Sequence, residues 1–342
     1  RVLEARGGLK IHTIHGFCER LLQRFPLEAT VMPNFTVLDE TTAQHIRNQA
    51  FDTVAMEAAS NPHSALGGAL ARIVGLTSED QILEVIGEIL SKRAALQRIV
   101  RRHMEQAPAA DWPSVESEAL KTFFRVAERD EAALTEEQAN VLSDDQLDTV
   151  LTALADFGTA KTDKSREDTL RRARQTSGRA RAALFNAAFL TQKGEPRARL
   201  VTKAVADNAP GIVDMLDEAK IAFVRLETDL AHLRVVEATG AVLTFADAVQ
   251  TAYDAAKRRE AALDYDDLIV KTLDLLSRSN AAAWVLYKID GGINHILVDE
   301  AQDTNPEQWS IVDALAAEFL AGASARQQPR TQNAVGHESQ SI

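Results

Sequence analysis

The 342-residue sequence has one cysteine, Cys18. A lone thiol cannot close an internal disulfide and has no partner for a zinc site, which fits a reducing compartment. The eight histidines are scattered without metal-ligand spacing. No apolar run approaches the roughly 18 residues needed to span a bilayer, so no membrane partner is expected. The opening Arg1-Val2-Leu3-Glu4 has neither an initiator Met nor a signal-peptide pattern. The expectation is a cytoplasmic protein, and an internal fragment whose true start lies upstream. Aromatics make up 5% of the chain, and Trp112, Trp284 and Trp309 read as core or interface fillers rather than stacking platforms. There is no repeat of fixed period. Nor is there a Gly-x-x-x-x-Gly-Lys-[Ser/Thr] loop of the kind that cradles nucleotide phosphates. Positive charge is also short: 38 Lys and Arg against 50 Asp and Glu leave a net −12, which taken whole argues against a nucleic-acid partner.

The distribution of charge qualifies that sum. Between Lys161 and Lys203 there are twelve Lys and Arg against four Asp and Glu, a local +8, so the remainder carries −20. Such a stretch can hold phosphates locally, and it reads equally as a solvated helical face.

Three zones follow from periodicity. In residues 1–40, Leu9 to Thr13 alternates like a short strand. Phe17, Leu21, Leu22 and Phe25 then mark a helix stopped near Pro26. Residues 41–262 are helical in pattern throughout. Ile46, Ala50, Val54 and Ala58 form one stripe, and Ile82, Val85, Ile86 and Ile89 another. Ser143 to Gln146 reads as a capping box for a helix ending at Gly158. From Pro210, a favoured first helical position, Ile212, Leu216, Ala219, Phe223, Leu226, Leu230 and Leu233 make a heptad seam, more in keeping with internal packing than with a dimer zipper. That helix is expected to end near Gly240, with a second one from Val242 packed antiparallel to it. Residues 263–342 return to α/β character: Ile296-Leu297-Val298 reads as a buried strand, Asn305-Pro306 as a helix start, and Gly322 to Gln332 as a loop.

The most specific string runs from His295 to Trp309. It sets Asp299 and Glu300 at the carboxyl tip of a buried strand, where open α/β sheets place their ligands. Adjacent acids suit phosphoryl transfer, one holding Mg2+ and the other orienting or deprotonating the attacking water. Val298-Asp299-Glu300-Ala301-Gln302-Asp303-Thr304 resembles motif II, the Walker B box, of UvrD-like superfamily 1 DNA helicases. Thr13-Ile14-His15-Gly16-Phe17-Cys18 resembles that family's T-x-H-x-F motif, and Leu263-Asp264-Tyr265-Asp266-Asp267-Leu268-Ile269 its L-D-F-D-D-L segment. The three occur in the family's order and bracket nearly the whole chain. Arg24 to Ala29 and Val37 to Glu40 look most like the AddA branch.

This resemblance implies an α/β fold: part of a P-loop NTPase (RecA-like) motor domain, carried by 1–40 and 263–342, with a large all-helical insertion over 41–262. It implies ATP and Mg2+ as cofactors, Asp299 as metal ligand, Glu300 as catalytic acid–base, and Gln302 and Gln340 at the nucleotide. Thr13 and His15 would contact DNA. The implied activity is 3′-to-5′ helicase action on single- and double-stranded DNA in double-strand-break repair. The implied partner is an AddB-like nuclease, with an exonuclease domain further downstream in the same polypeptide. Two departures stand against it. The phosphate loop is absent, so this chain by itself is not expected to hydrolyse ATP. In Val335-Gly336-His337-Glu338-Ser339-Gln340-Ser341-Ile342, His337 and Ser339 replace the Asp and Lys of the family's motif III. Two other readings stay open: a non-catalytic helical module, from a truncated or decayed helicase, that binds DNA or protein; and an unrelated metal-dependent hydrolase, which lacks a third ligand near Asp299 and Glu300.

Overall fold

The computed structural model describes residues 12–92, 99–100, 111–277, 284–285, 288 and 305–326. In chain order the elements are α1 (Ile14–Arg24), β1 (Thr36–Val37), α2 (Glu40–Ser60), α3 (Ala65–Val74), α4 (Glu79–Ser91), α5 (Trp112–Phe124), α6 (Glu131–Ala139), α7 (Asp144–Phe157), α8 (Lys161–Arg174), α9 (Gly178–Phe189), α10 (Lys203–Asn208), α11 (Pro210–Arg259), β2 (Ala262–Leu263), α12 (Tyr265–Ser277) and α13 (Pro306–Arg326). Helix dominates the described residues. The strands among them form one short parallel pair, β1 with β2, in the register Thr36↔Ala262 and Val37↔Leu263. The expected strands at Leu9 to Ile11 and Ile296 to Val298 lie outside the described residues.

Local chemistry explains most helix boundaries. Ser143 Oγ accepts from Gln146 N, and the Gln146 side chain accepts from Ser143 N at 2.8 Å, the reciprocal box expected at the start of α7. Gly158 ends α7; a Cβ there would sit 2.3 Å from the Leu154 carbonyl oxygen, so the turn closes only over a glycine. Asn305 repeats the device for α13: its Oδ1 accepts from Gln308 N at 2.8 Å, and Gln308 Oε1 accepts from Asn305 N at 3.3 Å. Pro210 does occupy the first position of α11.

The chain forms two compact units. One comprises Arg1–Glu57, Gly87–Ile99 and Ala248–Ile342; the other comprises Ala58–Ile86 and Val100–Asp247. In the first, α1 packs on α12 and α12 on α13. Its core joins Cys18, Leu21 and Leu22 of α1 to Leu268, Ile269, Leu275 and Leu276 of α12 and Ile311 of α13. In the second, Leu147, Val150 and Leu154 of α7 meet Leu170 of α8, Phe185 and Phe189 of α9, and Ile212, Leu216, Ala219 and Phe223 of α11. Each large apolar side chain so buried contributes roughly 1.5–3 kcal/mol. Leu230 and Leu233 close over Val126 and Leu134. The heptad seam is therefore satisfied within the chain.

Three expectations are corrected. Helix α11 does not break at Gly240; it runs unbroken for 50 residues, about 75 Å at 1.5 Å per residue. Gly240 serves close packing instead of a turn: a Cβ there would lie 2.5 Å from Ser117 Oγ on α5. On α4 the buried stripe is Ile82, Ile86 and Leu90, a spacing of four, and Val85 is exposed. The segment from Gly322 to Arg326 is helical, continuing α13, because Ala321, Ala323 and Ala325 carry the highest helix propensity and outweigh one glycine.

Candidate nucleic-acid interface

Thr13 sits in extended backbone at the N-cap of α1, and its Oγ1 accepts from Gly16 N at 3.1 Å. This bond satisfies one of the four amides a helix start leaves open, and it fixes the next turn. Gly16 leaves just enough room, since a Cβ there would be 3.2 Å from Thr13 Oγ1. The cap places His15 in the first turn of α1. Its ring meets Tyr265, at the start of α12, edge-on with centroids 5.3 Å apart. Burial lowers the His15 pKa below its ordinary value of 6.5, and the charge of Asp266 pulls only partly the other way. The imidazole is therefore neutral near pH 7, with one nitrogen able to donate and the other to accept.

Around His15 the first unit forms a cavity of about 190 Å³, lined by His15, Ser91, Lys92, Asp266, Ile269, Val270, Asn305 and Glu307. Four separate stretches of chain converge on it. Its charge is mixed, Lys92 standing against Asp266 and Glu307, so net attraction alone would not hold an anion there. The cavity instead offers a neutral imidazole, a hydroxyl, an amide and one ammonium close to the positive end of α1. Lys92 is well exposed and pairs with Glu88 at 2.7 Å, a partner it can exchange at little cost.

The start of α12 is held by a buried ionic node. Lys257 near the end of α11 is 3% exposed, and its Nζ lies 2.6 Å from Asp267, 3.1 Å from Asp264 and 3.1 Å from Asp254. Tyr253 donates its hydroxyl to Asp264 at 2.7 Å, and the Lys257 ammonium lies 4.3 Å from the Tyr253 ring centroid. Asp264 and Asp267 also cap α12 reciprocally, through Asp267 N to Asp264 Oδ1 at 2.8 Å and Asp264 N to Asp267 Oδ2 at 3.1 Å. This node, rather than dipole complementarity alone, sets where Tyr265 and Asp266 stand. Behind it Cys18 is fully buried, and burial pushes its thiol up to about 11.

Of the residues singled out from sequence, Thr13 and His15 are thus brought against the Leu263 to Ile269 segment. Asp299, Glu300, Gln302 and Gln340 lie outside the described residues. Among the described residues no group of three or more His, Cys, Asp or Glu could hold a metal ion. No described helix is long and apolar enough to cross a membrane. Sequence reasoning missed the contributions of Ser91 and Lys92, which carry no local signal. It read Asn305 only as a cap, though the cap also turns that residue toward the cavity. Of the three tryptophans, Trp112 is buried and donates Nε1 to Asp247 at 2.8 Å, whereas Trp284 is 47% exposed beneath the Lys288 ammonium.

Residues 3–342 match the UvrD/REP helicase N-terminal domain. The chain is 26% identical over 368 residues to an ATP-dependent helicase/nuclease of the AddA type from Lactiplantibacillus plantarum, an alignment covering 99% of this chain and 28% of that protein. It is 43% identical over 68 residues to the ATP-dependent DNA helicase PcrA of Leuconostoc citreum, covering 20% of this chain and 9% of that one. With PcrA of Staphylococcus aureus it shares 39% over 71 residues, covering 21% and 9%. The chain therefore spans under a third of the length of these relatives. With a family model matched from residue 3 to residue 342, the chain belongs to the UvrD/REP helicase N-terminal domain family.

Proposed function

We propose that this chain is the first motor region of an ATP-dependent, 3′-to-5′ DNA helicase of the AddA helicase/nuclease type, acting on broken DNA ends with an AddB-like partner. Residues 1–40 and 263–342 build a RecA-like α/β motor domain, and 41–262 form its helical insertion. The observation that carries this reading is the meeting of His15 with Tyr265, residues 250 positions apart, each in a stretch resembling a helicase motif. Thr13 and His15 contact single-stranded DNA beside the cavity, the neutral imidazole and Lys92 reaching sugar, base edge or phosphate. Asp299 holds Mg2+, whose preference for oxygen ligands a carboxylate meets, and Glu300 prepares the attacking water. Gln302 and Gln340 read the nucleotide. ATP with its metal supplies the free energy for translocation, and this chain's own residues grip the strand.

In a protein that also contains the phosphate loop, Glu300→Gln is expected to abolish DNA-stimulated ATP hydrolysis while leaving ATP binding in place; undiminished turnover removes Glu300 from the mechanism. Oligonucleotides tailed at one end or the other test the polarity. A second reading, a non-catalytic binding module, is favoured by His337 and Ser339 standing in place of the usual Asp and Lys. Titrating this chain with single-stranded DNA at rising salt separates the two. Backbone binding weakens steeply with salt, and His15→Ala lowers it further. A protein-binding module shows little DNA affinity at any salt.

A further inference from the structure

The basic stretch from Lys161 to Lys203 is not used by the site above. Several of its cations are neutralised locally: Arg171 pairs with Glu167, Arg174 with Asp144 at 3.1 Å and Asp148 at 3.0 Å, and Arg181 with Asp144 at 2.9 Å. Its two phenylalanines, Phe185 and Phe189, are buried in the core. Two arginines stand apart. Arg166, half-buried on α8, and Arg197, half-buried between α9 and α10, form no ion pair with a carboxylate among the described residues. The Nε of each is buried and lacks a hydrogen-bond partner. Arg197 reaches the Ala187 carbonyl only at 3.4 Å. The acid on the same face as Arg166 is Asp163, 1% exposed, and its oxygens accept from Thr202 N at 3.1 Å and Thr202 Oγ1 at 2.6 Å.

The two guanidiniums are close enough to oppose each other. Burial first, and then the charge of Arg197, lowers the pKa of Arg166, with Asp163 pulling the other way. The backbone under Arg197 is fixed from three sides. Its N–H donates to the Phe189 carbonyl at 2.9 Å, and its carbonyl accepts from Lys220 Nζ at 3.3 Å. The hairpin before it, bridged at Leu190 and Pro196, turns through Gly194 at φ +78°. A fixed pair of repelling, under-bonded guanidiniums lacks one thing, a shared oxyanion: planar forks pair bidentately with phosphate, and one dianion cancels the repulsion of both.

We propose that Arg166 and Arg197 form a phosphate-binding site in the helical unit, separate from the cavity at His15. The phosphate comes either from a nucleic-acid backbone or from a free phosphate species.

The test is a titration of the 342-residue chain with inorganic phosphate at constant ionic strength, followed by its arginine Nε–H resonances. The expected result is a saturable shift of the Arg166 and Arg197 signals, with affinity at least tenfold weaker in Arg166→Gln and in Arg197→Gln. Shifts shared by all arginines alike, or affinity unchanged in both variants, overturn the proposal. The wild-type titration decides the matter even where a variant fails to fold. A single-stranded oligonucleotide titrated against salt then identifies the source. If backbone phosphates occupy the site, the double variant lowers the salt slope by about 0.7 for each phosphate lost. If the slope holds while phosphate binding is lost, the ligand is a free phosphate.

Discussion

At the scale of single residues, two side chains in the α1 region carry measurable consequences. His15 has a folded pKa below its ordinary value of 6.5 because burial disfavours the imidazolium. The unfolded chain therefore binds the proton more readily, and stability rises with pH across the window between the two values. His15 imposes no penalty above about 6.5, and the folded state loses stability as pH falls through that value. Denaturant unfolding at pH 7.5 and 5.5 checks this: His15→Gln is expected to lose less stability on acidification than the wild type. Cys18, its thiol pushed up to about 11, is expected to react with a maleimide more than about 100-fold slower than an exposed cysteine until the chain unfolds. Modification of the native protein at an ordinary rate would contradict its burial. The residues legible in the sequence are those whose job is local. Thr13, Ser143 and Asn305 bond to atoms three positions away, and a reader of sequence sees both partners at once. Ser91 and Lys92 reach the cavity only through tertiary structure, and nothing beside them in the chain announces it.

At the scale of elements, the seam of α11 was readable from Ile212 to Leu233 because its period is internal to the helix. Its end was not. Gly240 signals a stop only where solvent or a turn follows, and here α5 lies across it with Ser117 Oγ in the space a methyl would need. An alanine in mid-helix ordinarily gains about 1 kcal/mol over glycine. Gly240→Ala is expected to give no gain or a loss, because Ser117 Oγ must abandon its 2.7 Å bond to the Pro113 carbonyl. In a Ser117→Ala background the same substitution should recover the gain. Thermal unfolding of the four proteins measures that coupling. The node between α11 and α12 makes a harsher case. Lys257→Met leaves buried carboxylates without their cation, and a loss of about 3–5 kcal/mol is expected in denaturant titrations. Asp264 and Asp267 were legible as acids at a helix start; the lysine that answers them, on the preceding helix, was not.

At the scale of the whole molecule, each compact unit draws on separated stretches of chain, and no shift in composition marks the crossings near residues 57, 87 and 99. Hydrophobic periodicity describes a helix and its buried face but does not say which distant face it meets, which is why helix type was more readable than assembly. The resemblance to helicase motifs supplied what periodicity could not, a reason for Thr13 and Leu263 to lie near each other. A molecular-scale prediction follows from the missing Gly-x-x-x-x-Gly-Lys-[Ser/Thr] loop. This chain alone is expected to show no ATP hydrolysis above background with or without DNA, and a coupled phosphate-release assay checks it. Glu300→Gln should then change nothing here, and its effect should appear only in a longer protein that carries the loop. The node at Lys257 has one more consequence, for inheritance. A lone cation shared by Asp254, Asp264 and Asp267 cannot drift by single steps, because each intermediate strands a buried charge. Among relatives these four positions should be kept together or replaced together, and a lineage that has lost the lysine should also have shed at least two of its acids.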